Sequence, residues 1–159
     1  MSLGGATWLG DLEASVDEIA RTALGMEGST VRARTDVPRP LDVAFIGLVG
    51  PGGGIQIGLG ADPAGCETFA RGLLGMPAGG EPLPGPEIAD AMCEIINIVA
   101  GAFKGRVRDR ASPLQMGLPV FIHGSVQATD HTAVRVAEVT IGAVEAVVVL
   151  VHPRAGGPG

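Results

Sequence analysis

Tyrosine is absent, tryptophan occurs once and phenylalanine four times, so aromatics make up 3% of a 159-residue chain in which 46% of residues are hydrophobic. The interior must therefore be packed by Val, Ile, Leu, Ala and Met, and the length suits a single domain with one core. Positive charge is also scarce. Eleven Lys and Arg face seventeen Asp and Glu, a net charge of −6, which leaves no basic face for a phosphodiester backbone and disfavours acidic partners and nucleic acid. No apolar run approaches the roughly 20 residues of a membrane-spanning helix. The N-terminus lacks a basic region followed by an apolar stretch, so the cytoplasm is the expected location. The two cysteines, Cys66 and Cys93, form no Cys-x-x-Cys and have no His at ligand spacing, which argues against a zinc or redox motif. His123, His131 and His152 fall on strand-like segments without a companion ligand in register, so neither a metal nor a cofactor of the chain's own is expected.

What is present is a series of changes in hydrophobic period. "DLEASVDEIARTAL" places Leu12, Val16, Ile19, Ala20 and Ala23 on one face, an N-terminal helix over about 11–25 with Gly25 as its stop. "STVRARTD" alternates as an edge strand ended by "VPRP". "LDVAFIGLVG" and "IQIGLG", joined by "PGGG", read as a hairpin with a loose glycine turn. The glycines are not a phosphate loop, because no Gly-Lys-Ser/Thr follows and the next residues alternate as a strand. "DPAGCETFARGLLGM" reads as a helix with Asp62 at its N-cap, Pro63 in its first turn and an apolar face of Phe69, Leu73 and Leu74. The linker "PAGGEPLPG" leads into the most apolar helical run of the chain, with Pro86 near its first turn.

After Val107, "RDRASP" is turn-like, "LPVFIHG" reads as a strand, and "TAVRVAEVTIG" and "VEAVVVLVH" form a terminal hairpin around Gly142. The last strand is apolar enough to be central in its sheet or to pair across subunits. A single domain over 1–152 and a disordered tail over 153–159 are expected. Strands arriving in hairpins predict an α+β fold, a mainly antiparallel six-stranded sheet packed against two long helices plus an N-terminal helix.

The long helix carries two stripes. Ile88, Met92, Ile95, Ile96, Val99 and Phe103 gather on one side at 100° per residue, and Glu87, Asp90, Glu94, Asn97, Gly101 and Lys104 gather nearly opposite. Solvent exposure accounts for charges on such a ridge. It does not account for its centre, since Asn97 costs several tenths of a kcal/mol in a helix and Gly101 about 1 kcal/mol more. A bare glycine beside an amide also lets another molecule's backbone come close. Taken alone, the residues leave open a solvated face or a ridge that meets a partner.

"EIADAMCEIINIVAGAFKGRV" resembles the active-site helix of the CheC/CheX family of chemotaxis phosphatases, whose signature is Glu-x-x-Asn followed by Ala-Gly, here Glu94, Asn97, Ala100 and Gly101. "VAFIGLVGPGGGIQIGLG" looks like the family's first hairpin, Gly72 to Gly75 like a helix end and "GLPVFIHG" like its Pro-containing strand, so the likeness runs over about residues 29–151. In "CETFARGLL" Glu67 is followed by Ala70, so a second Glu-x-x-Asn pair is absent and the chain resembles the CheX type. Ile96 and Ile98 flanking Asn97 depart from the usual family pattern and leave the choice of partner open.

The resemblance implies hydrolysis of the aspartyl phosphate on a CheY-type response-regulator receiver domain, a homodimer, and Mg²⁺ held by the receiver. On this reading Glu94 and Asn97 are catalytic. Asn97 directs the attacking water through its carbonyl oxygen, and Glu94 pairs with the receiver's Lys, with Glu94 as a base the alternative. Glu87, Asp90, Ala100, Gly101 and Lys104 are expected to meet the partner. Two other readings compete: a non-catalytic interaction module of the chemotaxis or flagellar-switch type, and a ligand-binding domain with a pocket lined by Phe45, Ile46 and Ile57.

Overall fold

The computed structural model describes residues 5–34, 40–51, 53–108 and 113–154. Their order is α1 (Gly5–Thr22), β1 (Gly28–Arg34), β2 (Leu41–Gly50), β3 (Gly53–Ala61), α2 (Pro63–Leu74), α3 (Gly85–Val107), β4 (Gln115–Met116), β5 (Val120–Gly124), β6 (Thr132–Ile141) and β7 (Val144–Pro153). The strands lie in six rows, β1-β6-β7-β3-β2, with β4 and β5 end to end against β2 in the last row. Every pairing is antiparallel. The α+β reading and its six rows hold. The extra piece β4 has two residues, too few to show alternation in a sequence.

Two hairpins supply the middle of the sheet. β2 and β3 run in register from Asp42↔Ala61 to Gly50↔Gly53, and β6 and β7 from Thr132↔Pro153 to Ile141↔Val144. β3 pairs with β7, so the apolar "VEAVVVLVH" is central rather than an edge. The glycines of β3 have a packing reason. A Cβ on Gly58 would lie 2.7 Å from Phe45 Cε1, and one on Gly60 2.6 Å from Val43 Cγ2 and 2.8 Å from the Asp42 carbonyl oxygen. Side chains of β2 lie across β3, and only glycine leaves them room.

The three helices cover one face of the sheet. Leu12 and Val16 of α1, Cys66 and Phe69 of α2, and Met92, Ile95, Ile96, Val99 and Phe103 of α3 share a core with Ile46, Leu48, Ile57, Leu59, Val148 and Leu150. The opposite face holds a smaller cluster of Leu41, Val43, Phe45, Val136, Val147 and Val149, with Val126 of the β5–β6 connection packed on it. That connection has to cross this face, because β5 lies at one edge and β6 beyond β7. No helix among the described residues is long and apolar enough to cross a membrane.

Helix α1 begins at Gly5, well before the expected Asp11, and ends at Thr22. Its extra turns are held by tertiary contact, since Trp8 and Leu9 pack on the core, which outweighs the poor helix propensity of nearby glycine. Gly25 acts as the stop at φ 64°, and the Met26 N–H reaches back to the Ala20 carbonyl at 2.8 Å. β7 continues through Pro153, and Arg154 donates to the carbonyls of His131 and Thr129, both at 2.9 Å. The expected turns at "VPRP" and "RDRASP" and most of the expected tail fall on 35–39, 109–112 and 155–159, outside the described residues.

Candidate functional site

Helix α3 is seated by sequence at its start. Proline stands in its first turn, and the Pro84 carbonyl accepts from Glu87 N at 3.0 Å and Ile88 N at 3.2 Å. Ala91, Met92, Ile95, Ile96, Val99, Ala100, Phe103 and Val107 are buried, an arc of about 180° at 100° per residue. The helix rests on β2 and β3 and is flanked by α1 and α2.

The polar ridge emerges on the opposite side. Glu87, Asp90 and Glu94 are exposed, Asn97 is half-buried, Gly101 is exposed and Lys104 is half-buried. A Cβ on Gly101 would meet nothing within 4 Å. Asn97 lies one turn beyond Glu94, so their Cβ atoms are about 5–6 Å apart on one face. Neither side chain has a hydrogen-bond or ion-pair partner among the described residues. A carboxylate and an amide with unfilled bonding capacity therefore stand side by side on an exposed surface, beside a turn without side-chain bulk.

Ala100 is the correction. It is 0% exposed and belongs to the helix-side core, so its side chain cannot meet a partner. Its small size serves close packing of α3, and the bare surface of the ridge comes from Gly101 alone.

The family model described as "Chemotaxis phosphatase CheX" matches residues 43–142, which contain this helix. The chain belongs to the CheX family. No curated protein sequence is a significant match. Among solved structures, a CheC-like superfamily protein from Shewanella is 17% identical with a TM-score of 0.75 over 95% of this chain and 98% of its own. The CheX of Vibrio vulnificus is 18% identical with a TM-score of 0.72 over 91% and 97%. A CheX from Borrelia burgdorferi, solved as a complex with CheY, BeF3 and Mg²⁺, is 15% identical with a TM-score of 0.72 over 92% and 97%. At these identities the likeness establishes the fold.

In this CheX-family chain the earlier helix does different work. On α2 the Arg71 side chain, 10% exposed, pairs with Glu67 at 3.1 Å. It also donates to the carbonyls of Pro77 and Glu81, while Glu67 accepts from the Leu83 N–H at 3.0 Å. The bond from Leu83, followed by pairing with Arg71, holds the Glu67 carboxyl below its ordinary range. The Pro/Gly linker is thus strapped across α2, and Glu67 is consumed in holding it. Sequence reasoning missed this clasp, although the i,i+4 spacing of Glu67 and Arg71 was its signal.

A cleft of about 450 Å³ opens beside the strap, lined by Met26, Glu67, Arg71 and Met76 among others. The expected pocket of Phe45, Ile46 and Ile57 does not exist. Phe45 is buried on one face of the sheet and Ile46 and Ile57 on the other, because neighbouring strand residues point to opposite sides.

The cysteines are unsuited to nucleophilic chemistry. Burial pushes the Cys66 thiol up to about 12, and burial together with the Asp90 carboxylate raises that of Cys93, so the reactive thiolate is disfavoured at both. Among the described residues no three His, Cys, Asp or Glu side chains gather where they would hold a metal ion.

Proposed function

We propose that this chain accelerates hydrolysis of the aspartyl phosphate on a CheY-type receiver domain, with Glu94 and Asn97 inserted from α3. The observation that carries the reading is the pair itself, an exposed carboxylate and a half-buried amide one turn apart, without a partner among the described residues and followed by the bare Gly101. The family match and the Borrelia burgdorferi CheX complex with CheY, BeF3 and Mg²⁺ support the choice of partner.

The chemistry asks little of the protein. Water attacks phosphorus, the bond from phosphorus to the aspartyl oxygen breaks, and inorganic phosphate leaves as the dihydrogen form with both protons of the attacking water while the aspartate is restored as its carboxylate. The transition state is loose, so positioning the water dominates. An amide has no proton equilibrium near neutrality and cannot act as a base. The Asn97 carbonyl oxygen accepts from the water and sets its line of approach. Glu94 pairs with the receiver's Lys beside the phosphoryl group and fixes the docked helix. Mg²⁺ belongs to the receiver. The test is the decay rate of a phosphorylated receiver with and without the protein. Acceleration is expected, and no acceleration across the plausible receivers would leave a non-catalytic interaction module in its place.

Gly101 provides a second check. Nothing lies within 4 Å of a Cβ built there, so Gly101→Ala raises helix stability by about 1 kcal/mol. If the bare turn admits the receiver's backbone, the same variant weakens receiver binding severalfold. Thermal unfolding and titration of one preparation read both effects. A stabilised variant with unchanged affinity would remove Gly101 from the docking surface.

The protein is further expected to act as a homodimer. Strand β5 has one edge unpaired among the described strands, and Leu118, Val120 and Ile122 near it are 89%, 52% and 45% exposed. Val120 and Ile122 stand opposite Phe45 and Val43, so they extend the apolar cluster on the helix-free face. An apolar unpaired edge is a template for strand pairing. Light scattering at micromolar concentration is expected to give twice the monomer mass, and Ile122→Lys to halve it. A monomeric wild type would exclude the dimer.

A further inference from the structure

The ridge of α3 extends beyond the Glu94–Asn97 pair, and its charge changes sign along its length. Glu87, Asp90, Glu94, Asn97, Gly101, Lys104, Gly105 and Arg108 all fall within an arc of about 100° at the helical period. They span about 32 Å at 1.5 Å per residue. Three carboxylates precede Asn97 and two cations follow it. Among the described residues none of these five charged side chains has an ion-pair or hydrogen-bond partner.

Spacings of three and four put like charges on neighbouring turns, Asp90 beside Glu87 and Glu94, and Lys104 beside Arg108. Each such pair disfavours the isolated helix. The helix dipole compensates only within the first and last turns, which leaves Glu94 without compensation. The remaining cation at this end behaves differently. Arg106 donates to Glu18 Oε2 at 2.7 Å and to the Ala14 carbonyl at 3.4 Å, tying α3 to α1. Of the three described basic residues near the end of α3, one is used in the fold and two are presented outward.

We infer that Lys104 and Arg108 set the orientation of the docked receiver. The inference rests on the proposed function. A receiver approaching this ridge presents basic surface along Glu87, Asp90 and Glu94, acidic surface along Lys104 and Arg108, and its backbone at the bare step of Gly101 and Gly105, where an added Cβ would meet nothing within 4 Å. In the reverse orientation like charges face each other at both ends, and the amide is carried away from the phosphoryl group. Charge arranged in this way selects orientation and raises the encounter rate more than it deepens affinity.

The test uses the whole chain with a CheY-type receiver domain. Affinity is measured with the receiver loaded with BeF3 and Mg²⁺, and kcat and KM are taken from decay of the phosphorylated form. The double variant Lys104→Glu with Arg108→Glu is expected to raise Kd and KM tenfold or more while kcat at saturation holds, and the difference should shrink at high salt. Lys104→Gln with Arg108→Gln should fall between wild type and the charge-reversed form. Unchanged KM in the reversed variant, with wild type active and Asn97→Ala inactive, would overturn the orientation role and leave water positioning standing. A wild type that accelerates no receiver would remove the functional reading and this inference with it.

Discussion

Asn97→Ala is expected to return the decay of the phosphorylated receiver to within a few percent of its unaided rate, a loss of about 10²-fold, with the protein still folded and still bound. The expectation follows from what the amide does. If its carbonyl oxygen aligns the attacking water, its removal leaves docking through Glu94 and the rest of the ridge in place, so kcat falls and KM does not. Folding offers no alternative explanation, because Ala is the better helix former and the half-buried Asn97 has no partner among the described residues to lose. Single-turnover decay at saturating protein reads kcat, and titration with the BeF3-loaded receiver reads affinity. Acceleration preserved in the variant would sink water positioning by Asn97, and a parallel loss of binding would reduce the residue to a docking contact.

Phe103→Ala should have the largest effect on stability, about 3–5 kcal/mol. Phe103 is 0% exposed and among the largest fully buried side chains. Nine residues from Glu94, it lies about 180° round the helix from it, so it anchors the face of α3 that lies opposite the ridge. Truncation leaves a cavity beneath the helix that its flanking neighbours α1 and α2 restrict from collapsing. For a chain of this length each kcal/mol moves the midpoint by about 2–4 °C, so thermal unfolding should drop by about 6–20 °C. Calorimetry or circular dichroism checks it, and a shift under about 3 °C would mean that the core repacks around the gap. The contrast with Asn97→Ala separates the two sides of one helix. One substitution removes chemistry and spares the fold, and the other weakens the fold that presents the chemistry.

The two sides of α3 were legible because the helical period is a one-dimensional signal. Ile88, Met92, Ile95, Ile96, Val99 and Phe103 fall at period 3.6, and the structure buries all of them except the half-buried Ile88. Ala100 was not legible, since it sits at the flank of the stripe, about 120° from Glu94. Whether a flank is buried depends on what packs beside the helix. Here α1 and α2 both do, which widens the buried arc and takes Ala100 out of the ridge. The same limit hid the clasp of Arg71 and Glu67. Their spacing suggests an ordinary surface pair, and only the path of the linker brings the Pro77, Glu81 and Leu83 backbone to them.

The sequence by itself determined the α+β class, the two central hairpins, the polarity of α3 and the Glu-x-x-Asn pair on its polar side. Each is written in local spacing, period 2 for strands, 3.6 for helices, and turn residues at fixed offsets. The tertiary structure alone decided that β7 is central and β5 an edge, that Gly58 and Gly60 make room for Phe45 and Val43, and that Arg106 is used in the fold while Lys104 and Arg108 face outward. These depend on which distant segments meet, and the free energy of such meetings lies in contacts between residues far apart in the chain, which no local pattern records.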